Sequence, residues 1–364
     1  MKNILATAAA IALLSGTAQA QSNVQAYGAV DIGMDYVNHS GAKNGDVVRL
    51  DSGTLYGNRL GIKGTEDMGK GLKALFDAET GFTMTTGAST QGGLLFGRQL
   101  FVGLQNPFGT LTMGRQYTLD LDLAPYHANV ASRVNNFTGL SHWVDHLADR
   151  VDNSVKYQTP NLNGFTLAGQ YGFGDISGNS SAKRTLNAGG NYSKGPLSLG
   201  ATYLSINDIY GNRLSAVAVV DGQYAFGPAT VHLAYTNTHG TAANTLCFST
   251  CPARPNQLVR TYEVGVDYQQ TTALRFYAGG AYSQLNNDLT GNAFQLNLGS
   301  YYALSKRTEL YALAGYTKTT GLGGFARLMV GSPDLGPTAF ASNAQGTPDK
   351  GNQQGLKIGM THKF

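Results

Sequence analysis

The last ten residues of the chain alternate strictly between apolar and polar side chains and end on an aromatic residue. On an extended strand, one face would carry Leu356, Ile358, Met360 and Phe364. The opposite face would carry Lys357, Thr361 and Lys363, because side chains alternate with a period of two. Residues 24–36 repeat the pattern near the other end of the chain. The sequence therefore predicts a sheet with one face suited to hydrocarbon and the other suited to water.

Residues 1–20 have the layout of a secretory signal peptide. Lys2 supplies the positive start, residues 4–14 are apolar, and Ala-Gln-Ala at residues 18–20 fits a cleavage site. The apolar stretch is shorter than the roughly 20 residues of a membrane-spanning helix, which favours cleavage over an uncleaved anchor. We expect an exported mature chain, residues 21–364, that folds as a single domain.

The charge and cysteine content narrow the classes of partner. The formal net charge is +4, and removing Lys2 leaves +3, which is too small in a chain of 364 residues to favour nucleic acid. Cys247 and Cys251 are the only cysteines, and they lie in a polar stretch. After export such a pair favours a disulfide; a redox pair or a metal site are the alternatives, although only His239 is near as a further ligand. We predict no metal and no other cofactor.

The punctuation of the chain favours a transmembrane barrel. No apolar segment after residue 20 reaches the length of a spanning helix, whereas barrel strands need only weak alternation. Short turns are predicted at residues 67–70, 106–109, 161–164, 194–196, 226–228, 270–272 and 305–308. Long polar insertions fall at residues 83–94, 117–149, 238–258 and 320–353. Seven turns joining two strands each, plus the first and last strands, give about 16 strands, with tight turns at one end and long loops at the other.

A soluble β-sandwich is the alternative to a barrel. Its exposed faces would be polar, yet residues 261–268 carry a wholly apolar face, made of Tyr262, Val264, Val266 and Tyr268. No predicted helix is available to cover that face. The fold class is therefore all-β, a sixteen-stranded antiparallel transmembrane β-barrel.

Residues 53–63 read as one alternating strand that fixes which side of the wall is wet. Arg59 and Lys63 share one parity, and Leu60 and Ile62 share the other. An arginine on the lipid side near the bilayer midplane costs about 2–4 kcal/mol. We therefore expect Arg59 and Lys63 to point into a hydrated interior, unless a bulge shifts the alternation.

The chain resembles the general trimeric porins of Gram-negative outer membranes, especially those of betaproteobacteria. The resemblance runs over the whole chain and is carried by sequence pieces in a characteristic order: YGAVD at residues 27–31, RLGIKGTED at 59–67, RQLFVGL at 98–104, GRQY at 114–117 and the terminal Phe364. It implies a multi-pass homotrimer in the outer membrane, with a constriction loop, here residues 117–149, folded into the lumen. Phe364 would be the assembly signal for the barrel assembly machinery, and lipid and lipopolysaccharide would surround the barrel.

The resemblance also implies a constriction in which arginines of the wall face acids of the loop. By motif, Arg59, Arg98 and Arg150 match the wall arginines, and Lys63 shares the wet face. Asp120 and Asp122 match the acidic loop. Arg115 shares parity with Leu111 and Met113, so it either lines the lumen or lies at a subunit contact or strand rim. A structural reading of the arginines, as partners of Asp77, Glu79 or Asp152, stays compatible with the channel reading.

The function that these expectations support is passive diffusion of ions and small hydrophilic solutes, with a mild preference for anions from the excess of wall arginine. A substrate-specific channel is the first alternative. A barrel-type enzyme is the second, suggested by His142, Asp145 and His146, although no nucleophile elbow or metalloprotease signature accompanies them. We expect a channel and not an enzyme.

Overall fold

The computed structural model describes residues 22–40, 45–125, 149–240, 257–287, 290–320 and 350–364. These residues form seventeen β-segments in one antiparallel sheet, a 3₁₀ turn at Gln91–Gly93 and a short helix, α1, at Leu119–Leu123. The segments are β1 Ser22–Ser40, β2 Gly45–Ser52, β3 Arg59–Asp67, β4 Lys73–Gly81, β5 Gln99–Asn106, β6 Gly109–Tyr117, β7 Arg150–Gln158, β8 Phe165–Gly172, β9 Thr185–Lys194, β10 Leu197–Asn207, β11 Arg213–Phe226, β12 Ala229–Gly240, β13 Gln257–Gln269, β14 Leu274–Asn287, β15 Gly291–Ala303, β16 Thr308–Thr320 and β17 Lys350–Lys363.

The sheet closes on itself through the two ends of the chain. β17 pairs with β1 from Ala29↔Lys363 to Val37↔Gly355, and each remaining segment pairs with its neighbours around the ring. Closure removes the free edges that would leave backbone N–H and C=O groups unpaired in hydrocarbon. The strands are therefore the walls of a barrel.

β2 and β3 are two halves of one spanning strand. β1 pairs with β2 as far as Ile32↔Ser52, and its pairing with β3 begins at Ala29↔Arg59. Two residues of β1 thus stand opposite the six residues 53–58, which leave the wall. The seventeen segments make sixteen spans, which confirms the predicted architecture.

The prediction that residues 53–63 form one continuous strand is wrong. The strand begins only at Arg59, because Gly53, with φ +81°, turns out of the extended path. Beyond that point the expected alternation holds. Leu60 and Ile62 are about half exposed on the outer surface, whereas Arg59 faces the interior.

The two faces of the wall divide by polarity as expected. On β13, Tyr262 and Val264 are 48% and 50% exposed on the outside, whereas Thr261 and Glu263 are 1% and 4% exposed on the inside. The same contrast recurs around the ring. The wall therefore presents apolar side chains outward and polar side chains inward, which suits a lipid exterior and a hydrated interior.

The connections also follow the predicted asymmetry. All seven predicted short turns join consecutive strands at one end of the barrel, and the four long insertions join strands at the other end. The signal segment, residues 1–20, lies outside the described residues, and so do Cys247 and Cys251. The same holds for residues 126–148, the greater part of the predicted constriction loop.

The described start of that loop turns inward. α1 follows β6 and packs against β8, β9 and β10. Gly200 on β10 faces the interior, and a Cβ atom built there would lie 2.6 Å from Pro125 and 3.2 Å from the Cα atom of Ala124. The chain after β6 thus lies against the inner wall. No helix in the described ranges is long and apolar enough to cross a membrane.

The C-terminal residue seals the junction between β1 and β17. Gly28 and Phe364 exchange two backbone hydrogen bonds of 3.0 and 3.1 Å. A Cβ atom on Gly28 would lie 2.3 Å from the Phe364 ring and 2.7 Å from the carbonyl oxygen of Arg59. Only glycine leaves room for the terminal ring at this point.

We predict that Gly28→Ala destabilises the closed barrel by about 1–3 kcal/mol, the usual cost of overpacking. The measurement is equilibrium urea unfolding in detergent micelles, followed by the heat-dependent shift in gel mobility. Gly169→Ala on β8 is the matched control, because its Cβ site has nothing within 4 Å. Equal stability of the two variants would contradict the role given to the Gly28–Phe364 contact.

Candidate functional site

The three arginines that the sequence singled out come together on the inner wall. Glu79 accepts a hydrogen bond from Arg98 Nε at 2.6 Å, and its other oxygen lies 3.9 Å from Arg59 Nη1. Arg98 also donates to the Tyr117 hydroxyl at 2.5 Å. The guanidinium of Arg150 lies 5.0 Å from the centre of the Tyr117 ring. We call these five residues the arginine cluster.

Glu79 makes the convergence possible. Its side chain is 3% exposed, and it bridges two arginines while accepting a 3.3 Å hydrogen bond from Tyr117. Guanidinium groups so close would otherwise repel each other, and a buried carboxylate offsets that repulsion. The wall-carboxylate reading of the arginines thus holds for Arg59 and Arg98. With Asp149 3.4 Å from Arg150, three positive charges face two negative charges, leaving an excess of one.

Arg98 faces the interior because of a β-bulge. Along β5, Leu100 and Val102 point outward, so strict alternation would place Arg98 outside. Instead, the carbonyl of Glu79 accepts from Arg98 N at 3.2 Å while Glu79 is paired with Gln99. Two residues therefore oppose one, and the extra residue turns Arg98 inward.

A second irregularity precedes Arg150 on the wall. The pairing of β6 with β7 shifts register between Gly114 and Gln116, opposite Asn153, whose φ is +46°. Beyond the shift, Tyr117 pairs with Arg150. This break in alternation brings the end of β6 and the start of β7 into the cluster.

Lys63 lies away from the arginine cluster. It is four residues beyond Arg59 on β3, about 13 Å toward the short-turn end of the barrel. Its ammonium lies 4.9 Å from the centre of the Tyr27 ring, and Tyr27 donates a 2.7 Å hydrogen bond to Asp77, the residue paired with Lys63. Lys63 shares the inner face with the arginines without contacting them.

The predicted acidic residues take a different position from the one that motif comparison suggested. Asp122 lies 2.6 Å from the Lys156 ammonium of β7, and Asp120 is 3% exposed within α1. Desolvation by the surrounding wall raises the pKa of the Asp122 carboxyl above its ordinary range, and the Lys156 ammonium opposes this rise. The contact fastens α1 to the wall. In the described part of the loop, the acid next to an arginine of the cluster is Asp149.

Arg115 lies on the outward side of the wall. It pairs with Leu100, which is 47% exposed, and it donates to the carbonyl of Gly97 at 2.8 Å. It also contacts Asp152, a largely exposed residue. Of the two positions left open by the sequence, the outer one fits these contacts.

Tyr117 and Asp149 were missed as members of the cluster by reasoning from the sequence. Their positions depend on the two bulges, which alternation patterns do not reveal. Among the described residues, no group of His, Cys, Asp and Glu side chains is arranged to hold a metal ion. His142, Asp145 and His146 lie outside those residues.

We predict that Glu79→Gln increases the preference of the interior for anions, because it removes one negative charge while keeping a hydrogen-bonding side chain. One unit charge at about 6 Å in water changes an ion's energy by about 0.7 kcal/mol, or about threefold in partitioning. The reversal potential in a salt gradient measures this. Asp152→Asn makes the same charge change on the outer side and is the matched control. Identical shifts in the two variants would remove Glu79 from the ion path.

Comparison with known proteins gives consistent matches. A family model described as Gram-negative porin matches residues 6–322. An outer membrane porin protein of Bordetella pertussis is 30% identical, covering 87% of this chain and 94% of the relative. Outer membrane porin protein 32 of Delftia acidovorans is 28% identical, covering 98% of both chains. The solved structure of an anion-selective porin from Comamonas acidovorans superposes with a TM-score of 0.72 at 24% identity, covering 94% of this chain and 100% of that one.

Proposed function

Because this chain belongs to the Gram-negative porin family, we propose that the arginine cluster forms the narrowest part of its pore and gives it a modest preference for anions. The protein is an outer-membrane β-barrel porin, through which ions and small hydrophilic solutes diffuse passively. Its position in the outer membrane and its sixteen-span wall follow from the family and the fold. The selectivity and the residues responsible for it are the proposal.

The observation that carries the proposal is the convergence of Arg59, Arg98 and Arg150 on one stretch of inner wall. The three residues come from β3, the start of β5 and β7, so only the folded barrel brings them together. They lie where the chain after β6 turns inward along α1. A concentration of guanidinium groups beside an inward-folded segment is the arrangement by which rings of charge select ions.

The mechanism requires no bond chemistry. The barrel keeps a column of water across the hydrocarbon layer, so polar solutes avoid the desolvation that the membrane would impose. At the cluster, the excess positive charge lowers the energy of a passing anion and raises that of a cation. Because Glu79 and Asp149 offset much of the arginine charge, the preference stays modest.

We extend the proposal to the parts of the chain that the contacts leave open. Lys63 would add positive charge on the approach to the cluster from the short-turn end. Asp120 and Asp122 would hold the start of the constriction loop against the wall and supply local negative charge. Residues 1–20 would be a cleaved signal, residues 21–364 a single barrel domain, and Cys247 and Cys251 a disulfide.

We also propose a homotrimer, surrounded by lipid and lipopolysaccharide and delivered through Phe364 to the assembly machinery. An apolar groove of about 540 Å³ on the outer surface of β1 and β3–β6 supports this assembly. The groove is lined by Val24, Phe76, Val102, Leu104, Leu111 and Met113, among others. Small residues such as Gly64 and Gly103 in its lining leave room for side chains of a second copy. Light scattering of the protein in detergent, corrected for bound detergent, measures the assembly directly, and a monomeric mass would contradict it.

The test of the pore proposal is the charge reversal Arg59→Glu. It replaces one positive with one negative charge, so the anion-to-cation permeability ratio is expected to fall by up to about tenfold, less where salt screens the charges. Reversal potentials of single channels in a potassium chloride gradient give this ratio. Arg307→Glu, at an exposed short turn, is the control with the same charge change.

The outcomes separate the alternatives. An unchanged reversal potential for Arg59→Glu would remove Arg59 from the constriction. Uptake of one sugar or anion class far above others of equal size, in liposomes containing the protein, would favour a substrate-specific channel. Hydrolysis of lipid or peptide by the purified protein would show that it is also an enzyme, which the proposal does not include.

A further inference from the structure

The six residues 53–58 form a structured segment inside the barrel. They stand opposite only two residues of β1, so four residues are in excess of what the wall can pair. The excess is directed inward, because Leu55 is 3% exposed and belongs to a cluster with the inward-facing Tyr277, Tyr301 and Tyr311. Those tyrosines lie on β14, β15 and β16. We call residues 53–58 the shelf.

Asp31 fixes the shelf to the wall. One carboxylate oxygen accepts the backbone N–H groups of Leu55 and Tyr56 at 2.7 and 2.8 Å, and the other accepts the Tyr311 hydroxyl at 2.7 Å. The carbonyl of Asp31 accepts Gly53 N at 2.9 Å, and its N–H donates to the Asn58 side chain at 2.5 Å. Asp31 is fully buried. Charge-assisted hydrogen bonds of this kind hold backbone in one conformation.

A second set of contacts supports the base of the shelf. Lys357 on β17 is 1% exposed, lies 3.1 Å from Asp35, and also contacts Asp51 and Thr54. Thr54 donates a 2.9 Å hydrogen bond to Asp51. The shelf is therefore tied to both strands that flank β1. Such a network gives it little freedom to swing back into the wall.

The far end of the shelf reaches the arginine cluster. The carbonyl of Gly57 accepts a 3.0 Å hydrogen bond from Arg59 Nε, which orients that guanidinium. A Cβ atom on Gly57 would lie 2.7 Å from Arg98 Nη1, so the glycine lets the Arg98 side chain pass directly over the shelf. The shelf thus contacts two of the three arginines.

We propose that the shelf is a second, fixed side of the pore constriction, which narrows the bore and positions Arg59 and Arg98, with Asp31 as its positioning residue. This inference rests on the proposed role of the arginine cluster. It assigns part of the selectivity to a segment between β2 and β3, far in sequence from the loop that follows β6. The constriction is then set from two directions, one of them anchored by Asp31.

The first test places a charge on the shelf. Gly57→Asp puts a carboxylate beside Arg98 and is expected to lower the anion-to-cation permeability ratio about threefold, the effect of one unit charge at about 6 Å in water. The fold is expected to persist, because the crowded atom is the end of a flexible side chain. Gly45→Asp, at the start of β2 with nothing within 4 Å of its Cβ site, is the control and is expected to leave the ratio near the wild-type value.

The second test removes the shelf. Deleting residues 54–57 restores one-for-one pairing with β1, and it is expected to raise single-channel conductance and the size limit for sugar uptake in liposomes. Asp31→Ala is expected to give a smaller change in the same direction with greater open-channel noise, and Asp31→Glu to recover part of the wild-type behaviour. Asp46→Asn, near the outer end of β2, is the control.

The results distinguish this inference from the proposed function. A wild-type channel that passes no current or prefers cations would overturn both. An anion-preferring wild type, with Gly57→Asp indistinguishable from Gly45→Asp, would overturn the shelf alone. The same holds if the folded deletion variant keeps wild-type conductance. If the deletion does not fold, the Gly57→Asp comparison still decides the question.

Discussion

Every other feature of this protein depends on the closure of the sheet between β1 and β17. In hydrocarbon an unpaired backbone group costs several kcal/mol, so an open sheet of this size has no stable place in a membrane. The register from Ala29↔Lys363 to Val37↔Gly355 removes the last free edge. Once the wall is closed, the strict alternation of side chains separates a lipid face from a wet face. Only then can charged residues from distant parts of the chain meet in water inside the ring.

The interior shows how a barrel can concentrate like charges without destabilising itself. Arg59 and Arg98 share the buried carboxylate of Glu79, and Tyr117 gives Arg98 a hydroxyl acceptor and Arg150 an aromatic face. Each arginine is held by a different partner, so the guanidinium groups are positioned before a solute arrives. The same logic applies to the shelf, where Asp31 satisfies backbone N–H groups that left the sheet. Departures from regular strand geometry are thus stabilised individually, and they occur where the pore is proposed to narrow.

The sequence predicted the architecture well because period-two alternation and turn composition act locally. The strict patterns at residues 261–268 and 356–364, with seven short turns, were enough to give sixteen spans. It predicted the interior less well. Arg98 would face lipid by alternation and was placed correctly only by resemblance, because its orientation depends on a bulge opposite Glu79. Residues 53–58 were assigned to a strand because Leu55 and Gly57 continue the parity of Arg59. No local signal showed that Asp31, more than twenty residues earlier, would capture the backbone of Leu55 and Tyr56.

The most direct measurement of the central claim is single-channel recording of the purified wild-type protein in planar bilayers under a potassium chloride gradient. A closed wall with a hydrated, arginine-lined bore predicts stepwise, ohmic current with a reversal potential displaced toward that of chloride. Insertion without current, or a reversal potential displaced toward that of potassium, would contradict the account.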